Sequence, residues 1–174
     1  IQLDLNMPDR FDLTCINESG KPERIVMIHA AIMGSIERFL SIIIEHFAGA
    51  FPLWLAPVQV RLIPISDKFV KYVEKIADEL EKNNVRVDID DRRDTVPKKI
   101  RSAELEWVNY IIVIGEREVK SKKNALRNRK TGKASSVSIA ALLKKIQNET
   151  KGKPFRKLNL PRKLSNRPSF GMSG

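Results

Sequence analysis

Three polar side chains with binding chemistry surround one strand-to-helix corner near the start of the chain. His29 ends an apolar run, and Ser35 and Arg38 follow Gly34. A glycine allows the close backbone approach that such a corner requires. An imidazole there can bind a metal ion, and an arginine held on a packed helix can clamp a phosphate. The corner is therefore a candidate binding site, with a satisfied core histidine and a surface Glu37–Arg38 pair as the alternatives.

The other candidate residues argue against two kinds of site and suggest a third. Cys15 and His46 have no partners at the spacing of a catalytic triad, which argues against nucleophilic catalysis. The segment 131–133 lacks the spaced glycines of a nucleotide-binding loop. The turn at 115–119 follows a predicted central strand, and open α/β sheets bind ligands at the carboxyl ends of such strands. This turn is therefore a second candidate site.

The elements that position the first corner form a small antiparallel block. Residues 1–5 and 11–16 alternate apolar and polar side chains, residues 25–28 form a third apolar run, and residues 34–48 have helical spacing. The pattern predicts that residues 1–5 and 11–16 form an antiparallel pair joined by a turn at 6–9. With the third strand and the helix, this is too little for an independent core. We therefore expect this block to be the trailing edge of a larger antiparallel sheet, and the chain to be the C-terminal part of a longer protein.

A second block begins after Gly49 and the two prolines at positions 52 and 57. Its hydrophobic pattern alternates strands and helices, which predicts an α/β domain with a mixed five-stranded sheet and flanking helices. The predicted strands are 58–65, 85–89, 110–115, 124–129 and 134–137, and the predicted helices are 69–80, 94–106 and 139–146. We place the domains at residues 1–53 and 54–150, with a tail at 151–174.

The charge of the chain indicates a polyanionic partner. Lysine and arginine number 32 against 21 acidic residues, a net charge of +11, and nucleic acid is the expected partner. Charge alone leaves an inert basic surface open as the alternative. The tail at 151–174 has seven lysines and arginines, three prolines and no acid, so it is expected to be flexible. It is interpreted either as an arm for phosphate contacts or as a solubilising tail.

Two absences in the sequence bear on the compartment. No apolar run reaches the roughly 18 to 20 residues of a membrane span, so no membrane association is expected. A single cysteine, Cys15, excludes an internal disulfide in this chain and favours a reducing, cytoplasmic setting.

Several separate motifs carry a resemblance to a known family. They lie at residues 1–5, 26–29, 34–39, 51–60, 90–92, 99–101, 115–119 and 126–127. In order and spacing, over about residues 1–147, they resemble the C-terminal third of the threonyl-tRNA synthetases. The segments around Trp54 and at 104–107 look archaeal. His29 before Gly34 and Ser35 is the threonyl pattern, which disfavours a prolyl, histidyl or glycyl relative.

This resemblance implies a separate role for each polar residue at the first corner. Residues 1–53 would be the end of a class II catalytic domain. Arg38, in the third class II signature, would be the catalytic residue that faces the ATP phosphates. Ser35 and Glu37 would bind substrate, and His29 would be one of three protein ligands of a zinc ion that reads threonine.

The resemblance also implies an anticodon-binding domain at residues 54–150. The residues that match anticodon contacts are Arg93, Lys99, Arg101, Glu118 and Arg127. Lys98, Lys99 and Arg101 are expected to be open to solvent on the second helix of this domain. Arginine stacking and carboxylate acceptance suit splayed single-stranded bases. The whole protein would be a cytoplasmic threonine–tRNA ligase that uses ATP with Mg, binds tRNA and forms a homodimer through its catalytic domain.

Two departures from the family pattern keep an alternative open. Ala30 stands where bacterial relatives have an arginine, and Arg93 and Trp107 stand where they have asparagine and arginine. The alternative is a non-catalytic archaeal paralogue, an editing or accessory protein that keeps tRNA binding. A second rival, a class II-derived accessory subunit such as a polymerase processivity factor, predicts loss of His29 and Arg38, and both are present. This chain alone is expected to bind tRNA without catalysing the reaction.

Overall fold

The computed structural model describes residues 1–168. The chain divides into two compact units, of which the first ends at His46 and the second begins at Phe47. The predicted domain boundary at residues 53 and 54 stays a prediction. The chain directly after the first unit is tied to the second. Arg129 donates hydrogen bonds to the carbonyl oxygens of Ala50 and Phe51, at 3.3 and 2.7 Å. The linker therefore belongs to the second unit.

The first unit holds four short strands and two helices. They are β1 (Gln2–Asp4), α1 (Asn6–Arg10), β2 (Thr14–Ile16), β3 (Pro22–Arg24), β4 (Met27–His29) and α2 (Ile36–Phe47). β1 pairs with β4 and β2 pairs with β3, both antiparallel. The pairing of residues 1–5 with residues 11–16 that the pattern suggested is therefore wrong. A helix replaces the predicted turn because Asp4 accepts hydrogen bonds from the first backbone N–H groups of α1.

The first unit buries almost none of its apolar side chains. α2 has no buried residue, although its sequence is strongly apolar. Exposed large apolar side chains of this unit include Leu3, Leu5, Phe11, Ile28, Ile32, Ile36, Leu40, Ile42 and Ile44. This agrees with the expectation that the block has too few elements for a core of its own.

The second unit is built on the predicted mixed five-stranded sheet. Its strands are β5 (Val60–Pro64), β6 (Val87–Ile89), β7 (Tyr110–Ile114), β8 (Asn124–Asn128) and β9 (Ala134–Val137). The spatial order is β6-β5-β7-β8-β9. β5 runs parallel to β6 and β7, while β8 is antiparallel to both β7 and β9. The carboxyl ends of the three parallel strands therefore lie at one edge of the sheet.

Helices cover both faces of this sheet. They are α3 (Val70–Lys82), α4 (Val96–Leu105), α5 (Glu116–Ser121) and α6 (Ile139–Glu149). The larger apolar cluster joins the sheet to α3 and α6 and includes Leu62, Leu80, Ile112, Leu142 and Ile146. A smaller cluster joins Ile63 and Ile111 to Ala103 of α4 and Val108. Strand alternation thus sends successive side chains into two separate cores.

The described part of the tail, residues 151–168, lies against the second unit instead of extending from it. The N–H of Ile89 donates to the carbonyl oxygen of Arg162 at 2.9 Å, and Ile89 forms an isolated parallel bridge with Lys163. Arg162, Lys163 and Arg167 form ion pairs with Asp78, Glu74 and Asp88. These cations of the described tail thus have acidic partners on the domain, while the flexibility of the tail stays a prediction. The rest of that expectation, at 169–174, lies outside the described residues.

None of the helices within residues 1–168 has the length and apolar character to cross a membrane.

Candidate functional site

His29 lies at the end of β4 and is held by a carboxylate. In the register of the β1–β4 pair it faces Gln2, and its Nε2 lies 3.0 Å from Oδ2 of Asp4. The backbone N–H of Met7, with further help from His29, holds the pKa of the Asp4 carboxyl below its usual value. A carboxylate that accepts from one ring nitrogen fixes the orientation of a histidine whose other nitrogen is available to a metal. The Asp4–His29 pair therefore fits a metal-ligating histidine.

The rest of a metal site is not supplied by this part of the chain. Within residues 1–168, no group of three or more histidine, cysteine, aspartate or glutamate side chains converges as a metal site would require. The role of His29 as a metal ligand stays a prediction. The sequence interpretation missed Asp4 as the partner of His29. The signal that could have found it is its position on the polar face of the first strand, two residues after Gln2.

Ser35, Glu37 and Arg38 lie together at the start of α2. The hydroxyl of Ser35 donates to Oε2 of Glu37 at 2.6 Å and accepts from the N–H of Arg38 at 3.4 Å. The first of these bonds lowers the pKa of the Glu37 carboxyl. Ser35 therefore caps the helix, and the Glu37 carboxylate is engaged by its own neighbour.

The Arg38 side chain is exposed and has no hydrogen bond or ion pair among residues 1–168. It projects from the first turn of α2, where the positive end of the helix dipole also favours anions. A guanidinium with no internal partner at this position is free to bind an external anion such as phosphate. His29 lies on β4 and Arg38 lies on α2, so the sequence correctly predicted a change from strand to helix between them.

In the second unit, two residues of the predicted anticodon set follow the carboxyl ends of parallel strands. Arg93 is exposed in the segment after β6, and Glu118 lies on α5, directly after β7. They share the sheet edge at which open α/β folds bind ligands. One Glu118 oxygen accepts from the N–H of Gly115 at 2.9 Å, while Oε1 has no hydrogen bond within residues 1–168. Glu118 therefore keeps one free acceptor.

Lys99 does not have the solvent access that was expected of it. Arg101 and Lys98 are exposed on α4, but the residue Lys99 is 6% exposed. It lies one helical turn before the fully buried Ala103, so the spacing of α4 turns it toward the sheet. There its charge lies close enough to Asp90 to stabilise that carboxylate. The expectation of solvent access at Lys99 is wrong, while its contact with the anticodon stays a prediction.

Arg127 lies away from the edge that Arg93 and Glu118 share. It sits on β8 opposite Ile111, about 10 Å before the carboxyl end of β7 at the rise of a strand. Its Nη1 lies 3.0 Å from Oε1 of Glu104 on α4, and both side chains are about half exposed. The structure thus divides the predicted set between the sheet edge and an open sheet face. Glu104, as the partner of Arg127, was missed because 23 residues separate the two.

A concave surface beside Arg127 contains an exposed aromatic side chain. The cavity has a volume of about 260 Å³ and is lined by Glu104, Trp107, Val108, Ile111, Arg127, Asn128, Arg129 and Gly132. Trp107 is 46% exposed. α4 ends at Leu105, and Trp107 then adopts a left-handed conformation with φ 56°. An indole beside a guanidinium offers a stacking surface to a nucleotide base.

A buried charge cluster supports this side of the sheet. Arg61 of β5 donates two hydrogen bonds to Asp88 of β6, at 2.9 and 2.8 Å, and a third to Glu106 at 2.6 Å. Burial lowers the pKa of Arg61, but Asp88 and Glu106 outweigh it, so the pKa is raised and the guanidinium stays charged. Next to it, Arg92 makes a bidentate pair with Asp90, at 2.8 and 2.7 Å. The only sequence signal for this cluster was a charged residue inside an apolar strand.

Comparison with known proteins covers both units. Residues 59–149 match the family described as Anticodon binding domain, and residues 1–47 match the tRNA synthetase class II core domain (G, H, P, S and T). The threonine–tRNA ligase of Clostridium botulinum strain Hall is 48% identical over 153 residues, and that of Clostridium tetani is 46% identical over 149 residues. These alignments cover 88% and 86% of this chain. The chain spans only 24% and 23% of the lengths of these curated relatives.

Solved structures show the same fold. The crystal structure of the RNA-binding domain of threonyl-tRNA synthetase from Cryptosporidium parvum Iowa II matches with a TM-score of 0.62 and 36% identity, covering 90% of this chain and 38% of that one. A prolyl-tRNA synthetase from Cryptosporidium parvum, at 22% identity and a TM-score of 0.55 over 81% of this chain and 32% of that one, supports the fold alone. The match over residues 59–149 covers more than half of the chain and, with the ligase identities, confirms the resemblance. The chain therefore belongs to the anticodon-binding domain family and corresponds to the C-terminal region of a threonyl-tRNA synthetase, the end of the class II core followed by that domain.

Proposed function

We propose that this chain is the part of a threonine–tRNA ligase that supplies the third class II signature and the anticodon-binding domain. One observation carries the proposal: two successive parts of the chain match the class II core and the anticodon-binding domain, in the order in which a single ligase spans both. The net charge of +11 supports a polyanionic partner. The ligase joins threonine to tRNA in two steps, through a threonyl adenylate.

In the first step Arg38 acts on ATP, which enters with Mg. The threonine carboxylate attacks the α-phosphorus, and pyrophosphate leaves. The exposed and unpaired Arg38 stabilises the negative charge on the phosphate oxygens, which is the type of interaction that electrostatic catalysis uses. Glu37 and Ser35, joined by their hydrogen bond, complete the substrate-binding side of this helix start. In the second step a hydroxyl at the 3′ end of the tRNA attacks the threonyl carbonyl carbon, and AMP leaves.

A zinc ion would supply the recognition of the threonine amino and hydroxyl groups. His29 would be its ligand from this chain, with Asp4 accepting from the opposite ring nitrogen and fixing the imidazole orientation. The fit rests on that pair, since a carboxylate at 3.0 Å favours the ring orientation that a metal ligand requires.

The second unit would bind the anticodon loop. Arg93 and Glu118 at the sheet edge, Arg101 on α4 and Arg127 beside Trp107 offer donors, one free acceptor and a stacking surface. Lys99 would act through its electrostatic contact with Asp90, because its side chain is buried. A cytoplasmic location and a homodimer that forms through the catalytic domain stay predictions.

The test uses the whole protein that contains this chain. Wild-type protein should catalyse threonine-dependent exchange of pyrophosphate into ATP and should charge tRNA. Arg38→Ala should abolish exchange while tRNA affinity stays within about twofold, because the anticodon domain is untouched. Arg10→Ala is the matched control, since Arg10 is another exposed arginine of the first unit. Full exchange activity in the Arg38 variant would contradict the catalytic role.

The non-catalytic paralogue is disfavoured, because the similar curated relatives are threonine–tRNA ligases. The observation in its favour is Ala30, whose methyl group offers no charge to a substrate. Wild-type protein that binds tRNA but shows no exchange would favour that alternative over the ligase.

A further inference from the structure

We propose that residues 162–167, named the strap here, position the anticodon-contacting segment after β6 by holding Asp91. This inference rests on the proposed function, because it assigns to the strap the placement of Arg93 for a tRNA base. The strap is the part of the basic tail that lies beside β6, the outermost strand on that side of the sheet. Its charged side chains therefore contact this domain.

The strap holds Asp91 with two hydrogen bonds from one residue. The N–H of Ser165 donates to Oδ1 at 3.0 Å, and its hydroxyl donates to Oδ2 at 2.6 Å. Both carboxylate oxygens of Asp91 are thus engaged by the strap. No other hydrogen bond or ion pair is formed by the Asp91 side chain within residues 1–168. Asp91 therefore depends on Ser165 for its position.

The neighbours of Asp91 are fixed from the opposite side. The N–H of Asp90 donates to the carbonyl oxygen of Leu62 at 2.9 Å, and the Asp90 carboxylate is paired with Arg92. The sheet thus holds the inner side of the segment and the strap holds its outer side. Arg93 follows directly, exposed to solvent. Two residues away from Arg93, Asp91 is the outer anchor that sets where this arginine points.

Arg167 attaches the end of the strap to the buried charge cluster. Its Nη1 lies 3.1 Å from Oδ2 of Asp88, a residue that is fully buried and also paired with Arg61. The Arg167 side chain is 16% exposed, and its Nε donates to the carbonyl oxygen of Pro161 at 2.9 Å. An ion pair in so dry a place is stronger than a surface ion pair. The strap is therefore anchored on both sides of Ser165.

The other anchors of the strap are ion pairs with α3. Arg162 pairs with Asp78, and Lys163 pairs with Glu74 at 2.6 Å. The bond to Glu74 raises the pKa of Lys163, and the charge of Lys163 also lies close enough to Asp91 to interact with it. The Arg162 side chain has no hydrogen bond or ion pair with Asp91 or Arg93 within residues 1–168, so Arg162 separates positioning from general docking.

The test compares Ser165→Ala with Ser165→Thr in the whole protein. The Ala variant should raise KM for tRNA on the order of tenfold and lower the preference for the wild-type anticodon over a substituted one, since misplacing a contact group by ~1 Å can cost up to about a hundredfold. Backbone amides of residues 90–95 should exchange hydrogen faster. Pyrophosphate exchange, which uses no tRNA, should not change. The Thr variant keeps the hydroxyl and should restore wild-type values.

Arg162→Gln is the matched control. It should lower thermal stability while anticodon preference and amide hydrogen exchange at 90–95 stay as in wild type. Unchanged KM and unchanged amide exchange in Ser165→Ala would overturn the positioning role. Equal loss of anticodon preference in the control variant would also overturn it, because the strap would then act only through stability. If wild-type protein shows no anticodon preference, the proposed function fails, while amide exchange still tests the contact between Ser165 and Asp91.

Discussion

Arg61 and Asp88 form a fully buried ion pair between two parallel strands. Arg61 faces Asp88 in the register of β5 and β6, and both side chains are 0% exposed. The guanidinium Nη1 is buried and has no hydrogen-bond partner among residues 1–168. The pair thus joins the central and the outermost parallel strand beneath the segment that carries Arg93.

Replacing one member of this pair should destabilise the second unit strongly. Arg61→Leu leaves Asp88 with Arg167 alone in a dry environment and should lower the free energy of unfolding by about 3–5 kcal/mol. The double variant Arg61→Leu with Asp88→Leu should recover part of that loss, because the fully buried carboxylate is gone, although Arg167 still loses its partner. Urea unfolding of the three proteins measures the difference. A single variant within about 1 kcal/mol of wild type would contradict the cost of an unpaired Asp88.

Asp4→Asn should lower zinc occupancy of the whole protein. Asparagine keeps an oxygen for the N–H groups of Asn6 and Met7 but can present a donor in place of the oxygen that faces His29. Loss of a carboxylate that orients a metal-ligating histidine typically reduces metal affinity about 10- to 100-fold. Metal analysis after dialysis against a zinc buffer gives the readout. Asp9→Asn, which alters only the ion pair with Arg24, is the control, and equal zinc in all three proteins would contradict the role of Asp4.

Arg101→Ala and Arg127→Ala should weaken anticodon discrimination. Each removes a donor from the proposed interface, and loss of one base-contacting arginine costs about 1–3 kcal/mol. The measurement compares charging of wild-type tRNA and of tRNA with a substituted anticodon. Arg156→Ala is the control, because Arg156 is exposed on the tail at a distance in sequence from this set. Equal discrimination by all four proteins, wild type included among them, would argue against base recognition by these arginines.

The stability of the second unit should fall in acid. Burial raises the pKa of the Asp90 carboxyl, but the pair with Arg92 lowers it by more, so the pKa lies below its ordinary value of 3.8. Burial likewise raises the pKa of Glu106, but Arg61 brings it below its ordinary 4.5. Depressed carboxylate pKa values add stability above the unfolded-state pKa, and that stability is lost as pH falls through the folded-state pKa.

The midpoint of thermal unfolding should therefore change little from about pH 7 to 5 and fall below about pH 4.5. Glu106→Gln cannot titrate and should show a shallower fall than wild type. Stability that rises between about pH 5 and 3 would have the wrong sign for these groups.

The sequence predicted most of the second unit because its strands and helices are marked by local periodicity. The apolar run at β7 and the stripe of α3 indicate their own burial, and the mixed sheet follows from their order. The burial of Lys99 could not be predicted in the same way. A cation one turn from Ala103 is buried only when a carboxylate such as Asp90 lies beneath it. Local composition cannot show that carboxylate.

Long-range pairs account for the other differences. The composition of the tail predicts flexibility but does not reveal that three of its cations are paired with acids 79 to 89 residues earlier in the chain. The contact of Ser165 with Asp91 spans 74 residues, and that of Arg162 with Asp78 spans 84. At the first corner, Asp4 and His29 are 25 residues apart, and only the β1–β4 register brings them together. Spacing rules have no access to such partners.

The strap also affects how the protein meets other copies of itself. β6 is the outermost strand on its side of the sheet, and outermost strands offer free N–H and C=O groups to which a foreign strand can add. The Ile89 N–H is already bonded to Arg162, so the chain occupies with its own tail a position where intermolecular β-sheet aggregation could begin. Removing the tail would open that edge to self-association.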